Sequence, residues 1–200
     1  MRFLYQVMYR IGFTPWDTAQ TPVPAVLRDV IEGPQTIHPG RALDLGCGMG
    51  RHAIYLALQG WKVTGADSVG HALRIAHQRA ERAGVHIDFV RGDVTRLDRT
   101  PVKGPFDFFL DGGCFHGMSE EERRRYGRSI TQVAAADAEL LLFSFGPSMR
   151  RVPPRGAEQS DVERCFADGW RIVWSAVDRD VPDELKDSYT FTAWYRLKRV

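Results

Sequence analysis

The residues of this 200-residue chain with the clearest chemical use are three alternating glycines, Gly46, Gly48 and Gly50. They follow a short apolar run and precede a helical pattern that begins at Arg51. Glycine lets the backbone turn sharply and lets a ligand approach where a Cβ atom would clash. The helix that follows presents unpaired N–H groups and the positive end of its dipole to the loop. The segment therefore predicts a ligand-binding loop between a strand and a helix.

Acidic residues end the next two predicted strands. Asp67 follows the strand-like run 61–66, and Asp93 follows the run 87–91 and Gly92. A carboxylate at the end of the second strand can accept hydrogen bonds from both hydroxyls of an adenosine ribose. A structural role is the alternative for each acid, as a helix N-cap for Asp67 and as the cap of a turn for Asp93.

A polar, glycine-rich segment follows the fourth predicted strand. The near-continuous apolar run 106–110 indicates a strand buried on both faces, and it leads into Asp111, Gly112, Gly113, Cys114, Phe115 and His116. His116 is the best candidate for a general base because the unperturbed pKa of histidine is near neutral. The alternative is a structural histidine that is hydrogen-bonded to the backbone.

The second half of the chain continues the alternation of strands and helices. Capping boxes mark the starts of two helices, one at Ser119 and Glu122 and one at residues 160–163. The last two strands are expected to form a hairpin, because an irregular segment with Asp and Pro joins them. The predicted elements are a helix from Ser119 toward Val133, a strand at 139–145, a helix at 160–166, and strands at 170–177 and 188–197. The pattern predicts an α/β fold with a mostly parallel sheet and a C-terminal antiparallel hairpin.

The glycine loop resembles motif I of the class I methyltransferases that use S-adenosylmethionine (SAM). Its spacing, G-x-G-x-G after an acidic strand, differs from the dinucleotide-binding fingerprint, which would require a small residue where Arg51 stands. The segment 92–94 resembles motif III of the same family, and the segment that ends in His116 occupies the place of motif IV. The resemblance implies a Rossmann-like fold with helices on both faces of the sheet, and SAM rather than NAD as the cofactor.

Four segments resemble one small-molecule branch of this family, the branch related to thiopurine and tellurite-resistance methyltransferases. They are residues 14–17, the loop GCGMGRH, and the segments 60–67 and 111–116. The resemblance implies methyl transfer to a small aromatic, heterocyclic or quinone-like acceptor. Two alternatives are detoxification of thiols or tellurite, and a SAM-binding protein without turnover, since binding alone requires the same motifs.

The resemblance also implies which residues hold each part of the site. The amphipathic spacing of the apolar residues 3–11 also favours a helical lid and substrate segment at residues 1–38, on a SAM-binding core of residues 39–200 in one domain, with a helix packed on the edge of the sheet as the alternative. Arg51 is expected to pair with the cofactor carboxylate, unless it only caps surface charge, and Asp111 is expected to engage the cofactor amino group. The expected cofactor residues are Trp16, Asp44, Gly46, Cys47, Gly48, Arg51, Asp67, Ser68, Asp93, Val94 and Asp111, and the expected substrate residues are Phe13, Cys114, Phe115, His116 and Met149.

Net charge, motifs and the length of apolar stretches argue against several other classes of protein. A net charge of +2 produces no global field toward nucleic acid or membranes. The fourth strand ends without the Pro-Pro-aromatic tetrapeptide that is typical of enzymes that methylate nucleobases. The longest apolar stretch is far shorter than the roughly 20 residues of a membrane span. No histidine or carboxylate spacing suggests a metal. We therefore expect a small-molecule acceptor, no nucleic acid, and a monomer or weak homodimer.

The cysteines and one run of arginines allow further predictions about compartment, packing and exposure. The three cysteines lack the spacing of a disulfide framework, which favours a reducing compartment and hence the cytoplasm. Cys47 and Cys114 are expected side by side at the ends of the first and fourth strands, as small buried thiols, with a redox or nucleophilic role as the alternative. The arginines 123–125 are expected on a solvated face.

Overall fold

A seven-stranded sheet forms the centre of the fold. The computed structural model of the chain describes residues 22–34, 36–148, 154–178 and 188–200. The strands are β1 Arg41–Leu45, β2 Lys62–Asp67, β3 Asp88–Arg91, β4 Phe106–Asp111, β5 Ala134–Phe145, β6 Trp170–Asp178 and β7 Thr192–Arg199. Strands β1 to β5 pair in parallel, and β7 is antiparallel to both β5 and β6. This arrangement confirms the predicted mostly parallel sheet with an antiparallel pair at the C-terminal end.

Helices cover both faces of the sheet. They are α1 Ala25–Glu32, α2 Arg51–Leu58, α3 Gly70–Arg82, α4 Glu120–Gln132 and α5 Gln159–Cys165, together with the 3₁₀ helices Val94–Arg99 and Phe115–Gly117. Buried residues of α1, α2 and α3 share one apolar cluster, and those of α4, α5 and the longer 3₁₀ helix share another.

Strand β4 shows why the sheet is buried on both faces. Successive side chains of a strand point to opposite faces, and the adjacent Phe108 and Phe109 are both fully buried. The ring of Phe108 lies 5.3 Å from that of Trp61 in one apolar layer. The ring of Phe109 lies 6.1 Å from that of Trp170 in the other layer. A continuous apolar strand is therefore required here, as the sequence predicts.

The strand order β3-β2-β1-β4-β5-β7-β6 sets the place of a ligand site. Strands β2 and β3 continue the sheet on one side of β1, and β4 begins the other side. In such sheets ligands bind outside the carboxyl ends of the strands, at the point where the order reverses. The glycine loop after β1 and the polar segment after β4 meet at this point.

Three element boundaries differ from the sequence-based expectation. Strand β5 begins at Ala134 rather than at residue 139, because Ala134 pairs with Phe106. The second capping box joins Glu158 and Asp161, two residues earlier than expected. Strand β7 begins four residues later than expected, at Thr192. The capping box of the helix α4 is confirmed at Ser119 and Glu122.

The N-terminal segment is described only in part. The predicted lid residues Phe13 and Trp16 lie outside the described residues, and so does Met149. Helix α1, which follows, packs on the core through its buried apolar face, Leu27, Val30 and Ile31.

Candidate active site

The glycine loop after β1 adopts a conformation that favours glycine at each alternate position. The φ angles of Gly46, Gly48 and Gly50 are 70°, 54° and 80°, and residues other than glycine rarely adopt positive φ angles. The backbone N–H groups of Gly46 and Cys47 both donate to the carbonyl of Ala66, at 2.7 and 3.1 Å. The loop is thereby tied to the end of β2, and it leads directly into the N-terminus of α2.

Asp67 connects the glycine loop to the end of β2. Its Oδ2 accepts a hydrogen bond from the N–H of Gly48 at 2.9 Å, and its Oδ1 accepts one from the N–H of Val69 at 2.7 Å. The side chain is almost fully buried. These bonds hold the carboxylate at the carboxyl edge of the sheet, next to the loop. Ser68 follows it, and the Ser68 carbonyl accepts from Nε of Arg91 at 3.4 Å.

Asp44 is a buried acid of the site with a strongly raised pKa. Its residue surface is 2% exposed, and its Oδ2 has no hydrogen-bond partner among the described residues. Burial, and then the negative charges of Asp111 and Asp67, raise the pKa of Asp44 to about 8. A buried acceptor without a partner is costly, so this position favours a ligand that brings a donor or a positive charge.

Asp93 is the cap of a turn in this structure. Its Oδ1 accepts from the N–H of Thr95 at 2.9 Å and from the hydroxyl of Thr95 at 2.7 Å, at the start of the 3₁₀ helix. Val94, the next residue, is buried in the core. Through Oδ1 Asp93 thus fills the capping role that the sequence offers as the alternative, at the end of β3 where the resemblance places a cofactor residue.

Asp111 organises the segment that follows β4. The carboxylate is fully buried. Its Oδ1 accepts from the N–H groups of Gly113 and Cys114 at 2.8 and 2.6 Å, and its Oδ2 accepts from the N–H of Phe115 at 3.1 Å and from the Tyr126 hydroxyl at 2.5 Å. Burial raises the pKa of Asp111, and these donors oppose the rise. Asp111 is expected to contact the amino group of the cofactor, but in this structure its carboxylate has no exposed surface for such a contact. Tyr126, inside α4, carries no sequence signal for this role.

Cys47 and Cys114 lie where the sequence predicts, at the ends of the neighbouring strands β1 and β4. Neither is in a disulfide, and the thiol of Cys114 donates to the Leu45 carbonyl at 3.5 Å. Burial raises the pKa of both thiols well above the ordinary value. Because the thiolate is the reactive form of cysteine, this environment favours packing over a nucleophilic role.

His116 has a pKa far from the near-neutral value expected from the sequence. The residue is 4% exposed, and its ring lies 4.7 Å from that of Phe145 and 6.2 Å from that of Phe143. Burial, and then the charge of Arg123, lower the pKa of His116 to about 3. The apolar surroundings disfavour the imidazolium, so the ring is neutral well below the unperturbed pKa of histidine. Nδ1 of the ring has no partner among the described residues.

Phe115 lies inside the core, in contrast to its expected place on the substrate surface. It is fully buried, with its ring 6.2 Å from that of Tyr126 and 4.8 Å from the guanidinium carbon of Arg123. Phe115 begins the 3₁₀ helix Phe115–Gly117, and its N–H donates to Oδ2 of Asp111 at 3.1 Å, which holds the start of this helix against the end of β4.

Arg123 is buried and not on a solvated face as expected. It donates to the carbonyl of Gly156 at 2.5 Å and pairs with Asp161 at 3.0 Å. Its neighbours 124 and 125 do pair with surface glutamates, as a solvated face would predict. The N–H of Gly156 in turn donates to the carbonyl of His116 at 3.0 Å. Arg123 therefore ties the segment after β4 to the start of α5.

Sequence reasoning missed His52, the second residue of α2. Its Nε2 is buried without a partner among the described residues, and burial lowers its pKa to about 3. A Cβ atom on Gly112 would lie 3.0 Å from Cε1 of His52, so the ring lies directly beside the end of β4. The sequence signal that could have identified His52 is its position directly after Arg51, at the start of the helix that follows the glycine loop. Arg51 itself donates to the carbonyl of Pro22 at 2.7 Å, ahead of α1.

The described part of the chain contains neither a cluster of metal ligands nor a membrane-spanning helix. No group of three or more His, Cys, Asp or Glu side chains in these residues is arranged to hold a metal ion. No helix in the same residues is long and apolar enough to cross a membrane.

Known proteins share this combination of fold and loop. A family model described as a methyltransferase domain matches residues 42–137. The chain is 33% identical over 132 residues to the 2-heptyl-1-hydroxyquinolin-4(1H)-one methyltransferase of Mycobacteroides abscessus, covering 66% of this chain and 56% of that protein. It is 33% identical over 103 residues to an uncharacterized methyltransferase of Schizosaccharomyces pombe, covering 52% of this chain and 70% of that protein. The chain therefore spans little more than half of the mycobacterial relative and over two thirds of the yeast relative.

The fold is also that of a solved enzyme. A Burkholderia thailandensis structure, 1,6-didemethyltoxoflavin-N1-methyltransferase with bound 1,6-didemethyltoxoflavin and S-adenosylhomocysteine, matches with a TM-score of 0.76 at 23% identity. The match covers 100% of this chain and 87% of that chain. The chain belongs to the SAM-dependent methyltransferases, and the predicted cofactor class is confirmed.

The described residues fit SAM. Three glycines with positive φ leave alternate positions of the loop between β1 and α2 without a side chain, and the side chains of Cys47 and Met49 between them are buried. The unpartnered Oδ2 of Asp44 offers an acceptor, and Asp67 adds a second carboxylate at the same edge. Two acids facing one loop suit a cofactor that carries a positive sulfur and an amino group. When bound, SAM supplies an activated methyl group.

Proposed function

We propose that this enzyme transfers a methyl group to a flat aromatic, heterocyclic or quinone-like small molecule. The observation that carries the proposal is an aromatic surface at the carboxyl end of β5 and the amino end of the antiparallel β7, beside the end of β4. Phe143, Phe145 and Trp194 are only partly buried there, and the rings of Phe143 and Trp194 lie 5.1 Å apart. Aromatic side chains favour flat ligands because offset stacking adds to the burial of apolar area.

The relatives support the same acceptor class. The mycobacterial relative is named for a hydroxyquinolinone substrate. The Burkholderia structure holds 1,6-didemethyltoxoflavin. We infer a comparable acceptor for this chain, and we extend that inference to the whole protein as part of the proposal.

The described residues contribute mainly by alignment. Holding donor and acceptor in one geometry is worth up to about 7–11 kcal/mol of the barrier. We assign Asp67 to the ribose hydroxyls, Asp93 and Val94 to the adenine side, and Asp44 to the positively charged part of the cofactor. Asp111 acts as a positioning residue, because its four donors shape the segment from Gly113 to Phe115.

His116 is our candidate for proton acceptance. Its neutral ring contacts the aromatic surface at Phe145, and its unpartnered Nδ1 is an acceptor in the tautomer that carries the proton on Nε2. Since its pKa is about 3, it is a weak base. We therefore expect it to take the proton of a hydroxyl as the bond to the methyl group forms, because the developing positive charge on the oxygen makes that proton strongly acidic.

Turnover with SAM tests this function. The acceptor panel holds hydroxyquinolones, phenols, quinones, nitrogen heterocycles, alkyl thiols and tellurite, with the methylated product identified by mass spectrometry. We expect methylation of at least one aromatic acceptor. Methylation of thiols or tellurite alone would contradict the proposal. SAM binding without turnover of any acceptor would indicate a non-catalytic protein.

A variant links the acceptor to the aromatic surface. Phe145→Leu should raise the KM for the aromatic acceptor while SAM affinity stays unchanged. Trp174→Leu is the matched control, because Trp174 is an exposed aromatic residue of the edge strand β6. Equal effects of the two substitutions would argue against the aromatic surface as the acceptor site.

A further inference from the structure

A second concave surface lies between the 3₁₀ helix Val94–Arg99 and α4. It is a cavity of about 260 Å³. All eight lining residues are polar or charged, four of them are arginines, and one is acidic. The lining residues of this arginine cavity are Thr95, Arg96, Asp98, Arg99, Arg125, Arg128, Ser129 and Gln132. None of these residues has a role in the proposed methyl transfer.

The positive charge of the arginine cavity is largely unneutralised. Arg96, Arg99 and Arg128 are exposed, and their side chains make no hydrogen bond or ion pair within the described parts of the chain. Arg125 pairs with Glu121 through Nη1, but its Nε is buried without a partner there. Like charges that converge on one cavity repel each other, so a bound anion would relieve an unfavourable arrangement.

The backbone that carries these arginines is fixed. The hydroxyl of Ser129 accepts a hydrogen bond from the N–H of Leu97 at 2.8 Å, and both residues are buried. This bond joins the 3₁₀ helix to α4 beneath the cavity. Arg96 departs from helical geometry at φ −147° and ψ 54°. The guanidinium groups are therefore presented from two elements that are held together.

We propose that the arginine cavity binds a small phosphate-bearing anion. Guanidinium groups bind phosphate oxygens through paired, charge-assisted hydrogen bonds, and the side-chain amide of Gln132 adds a neutral donor at the same surface. The lining carries a formal charge of +3, whereas the whole chain carries only +2. The positive charge is thus concentrated here. The absence of apolar side chains from the lining argues against a lipid chain or the aromatic methyl acceptor as the ligand.

Calorimetric titration of the full chain with inorganic pyrophosphate at low ionic strength tests the site. We expect binding by the parent protein. The double variant Arg96→Gln/Arg128→Gln should weaken that binding by about tenfold or more, because it removes two charged donors. Both side chains are exposed, so the unfolding midpoint should stay close to that of the parent.

The matched control removes the same charge elsewhere. Arg171→Gln/Lys198→Gln changes two exposed residues that pair across β6 and β7. It should alter pyrophosphate binding by less than about twofold, a change smaller than that of one charge-assisted bond. Equal losses in the two double variants would show a general charge effect and overturn the proposal. Failure of the parent to bind pyrophosphate would also overturn it.

A variant with the opposite expected effect excludes misfolding as an explanation. Asp98→Asn removes the single acidic lining residue and should tighten pyrophosphate binding severalfold, whereas Asp168→Asn, at an exposed residue outside the cavity, should not. No tightening in Asp98→Asn would contradict the proposal. Tight binding of a single-stranded RNA oligonucleotide without binding of pyrophosphate would replace the proposed ligand with nucleic acid.

Discussion

The sulfur of Cys114 occupies the space that a side chain at Gly46 would require. A Cβ atom on Gly46 would lie 2.1 Å from Sγ of Cys114, far inside van der Waals contact. The same sulfur donates to the carbonyl of Leu45, the residue before Gly46. The end of β4 therefore packs on the glycine loop of β1 through one thiol. This contact sets the spacing between the cofactor loop and the segment expected to face the acceptor.

Gly46→Ala should destabilise the chain by about 2–4 kcal/mol, because alanine is strained at positive φ and its methyl group collides with Cys114. SAM affinity should fall with it. The double variant Gly46→Ala/Cys114→Ala should recover part of the loss, since only the backbone strain remains. Urea unfolding of the two single variants and the double variant gives the coupling energy. Simple additivity would mean that the contact does not constrain the loop.

Asp67→Ala should weaken SAM binding by about 2–3 kcal/mol, because it removes charge-assisted hydrogen bonds to the ribose hydroxyls. It also removes the acceptor of the Gly48 N–H. Asp67→Asn keeps one acceptor oxygen and should show a smaller loss. Calorimetry with SAM measures both, and Asp88→Ala, at an exposed carboxylate, is the control. Unchanged affinity in Asp67→Ala would reassign Asp67 to a purely structural role.

The stability of the ligand-free chain should pass through a maximum near pH 6.5. The pKa of His52 and that of His116 are lowered from 6.5 to about 3. Their contribution is present above pH 6.5 and is lost as pH falls toward 3. The pKa of Asp44 is raised from 3.8 to about 8. Its contribution is therefore present below pH 3.8 and is lost as pH rises through 8.

Asp44→Asn isolates the alkaline side of this profile. The parent should lose about 1–2 kcal/mol between pH 6.5 and 8.5, since one pKa unit corresponds to 1.36 kcal/mol. The variant should lose less stability over the same pH interval. The loss that remains should arise from Asp111, whose pKa is also raised. Urea unfolding followed by circular dichroism at several pH values measures both. Identical slopes in the two proteins would show that Asp44 is ionised in the folded chain.

His116→Asn should lower kcat for a hydroxyl acceptor by about two orders of magnitude, with little change in SAM affinity. Because the pKa of His116 is about 3, we expect the parent to show no acid limb near pH 6.5. His86→Asn, at a side chain 93% exposed, is the control. An acid limb near 6.5 that disappears in His116→Asn would contradict the buried, neutral imidazole. A large loss of SAM affinity would place His116 on the cofactor side.

Tyr126→Phe should reduce the free energy of unfolding by about 1.5–3 kcal/mol, because it removes a hydrogen bond to the buried carboxylate of Asp111. Tyr55→Phe removes a comparable hydroxyl-to-carboxylate bond at the surface and should cost less. The acceptor KM should rise in Tyr126→Phe, since Asp111 shapes the segment after β4. Equal stability losses in the two variants would show that burial does not strengthen the Asp111 bond.

Local patterns made much of the fold and part of the site predictable. The alternation of apolar strands and capped helices depends on near neighbours in the chain, so it is visible without a structure. Gly46, Gly48 and Gly50 indicate a backbone conformation that few other residues adopt. The acid Asp67 stands at the end of the next strand. For this reason the parallel sheet and the glycine loop were predictable from the sequence, and the resemblance of that loop to motif I of the family implied the cofactor class.

Burial and pairing between distant segments were decided by the tertiary structure. The pKa of His116 depends on Phe143, Phe145 and Arg123, which packing brings around one imidazole. The role of Asp111 depends on the Tyr126 hydroxyl, which a helix supplies from across the core. The insertion of β7 between β5 and β6 likewise depends on long-range pairing. Desolvation and strand pairing are set by residues far apart in the chain, whereas helix caps and glycine turns are set by immediate neighbours.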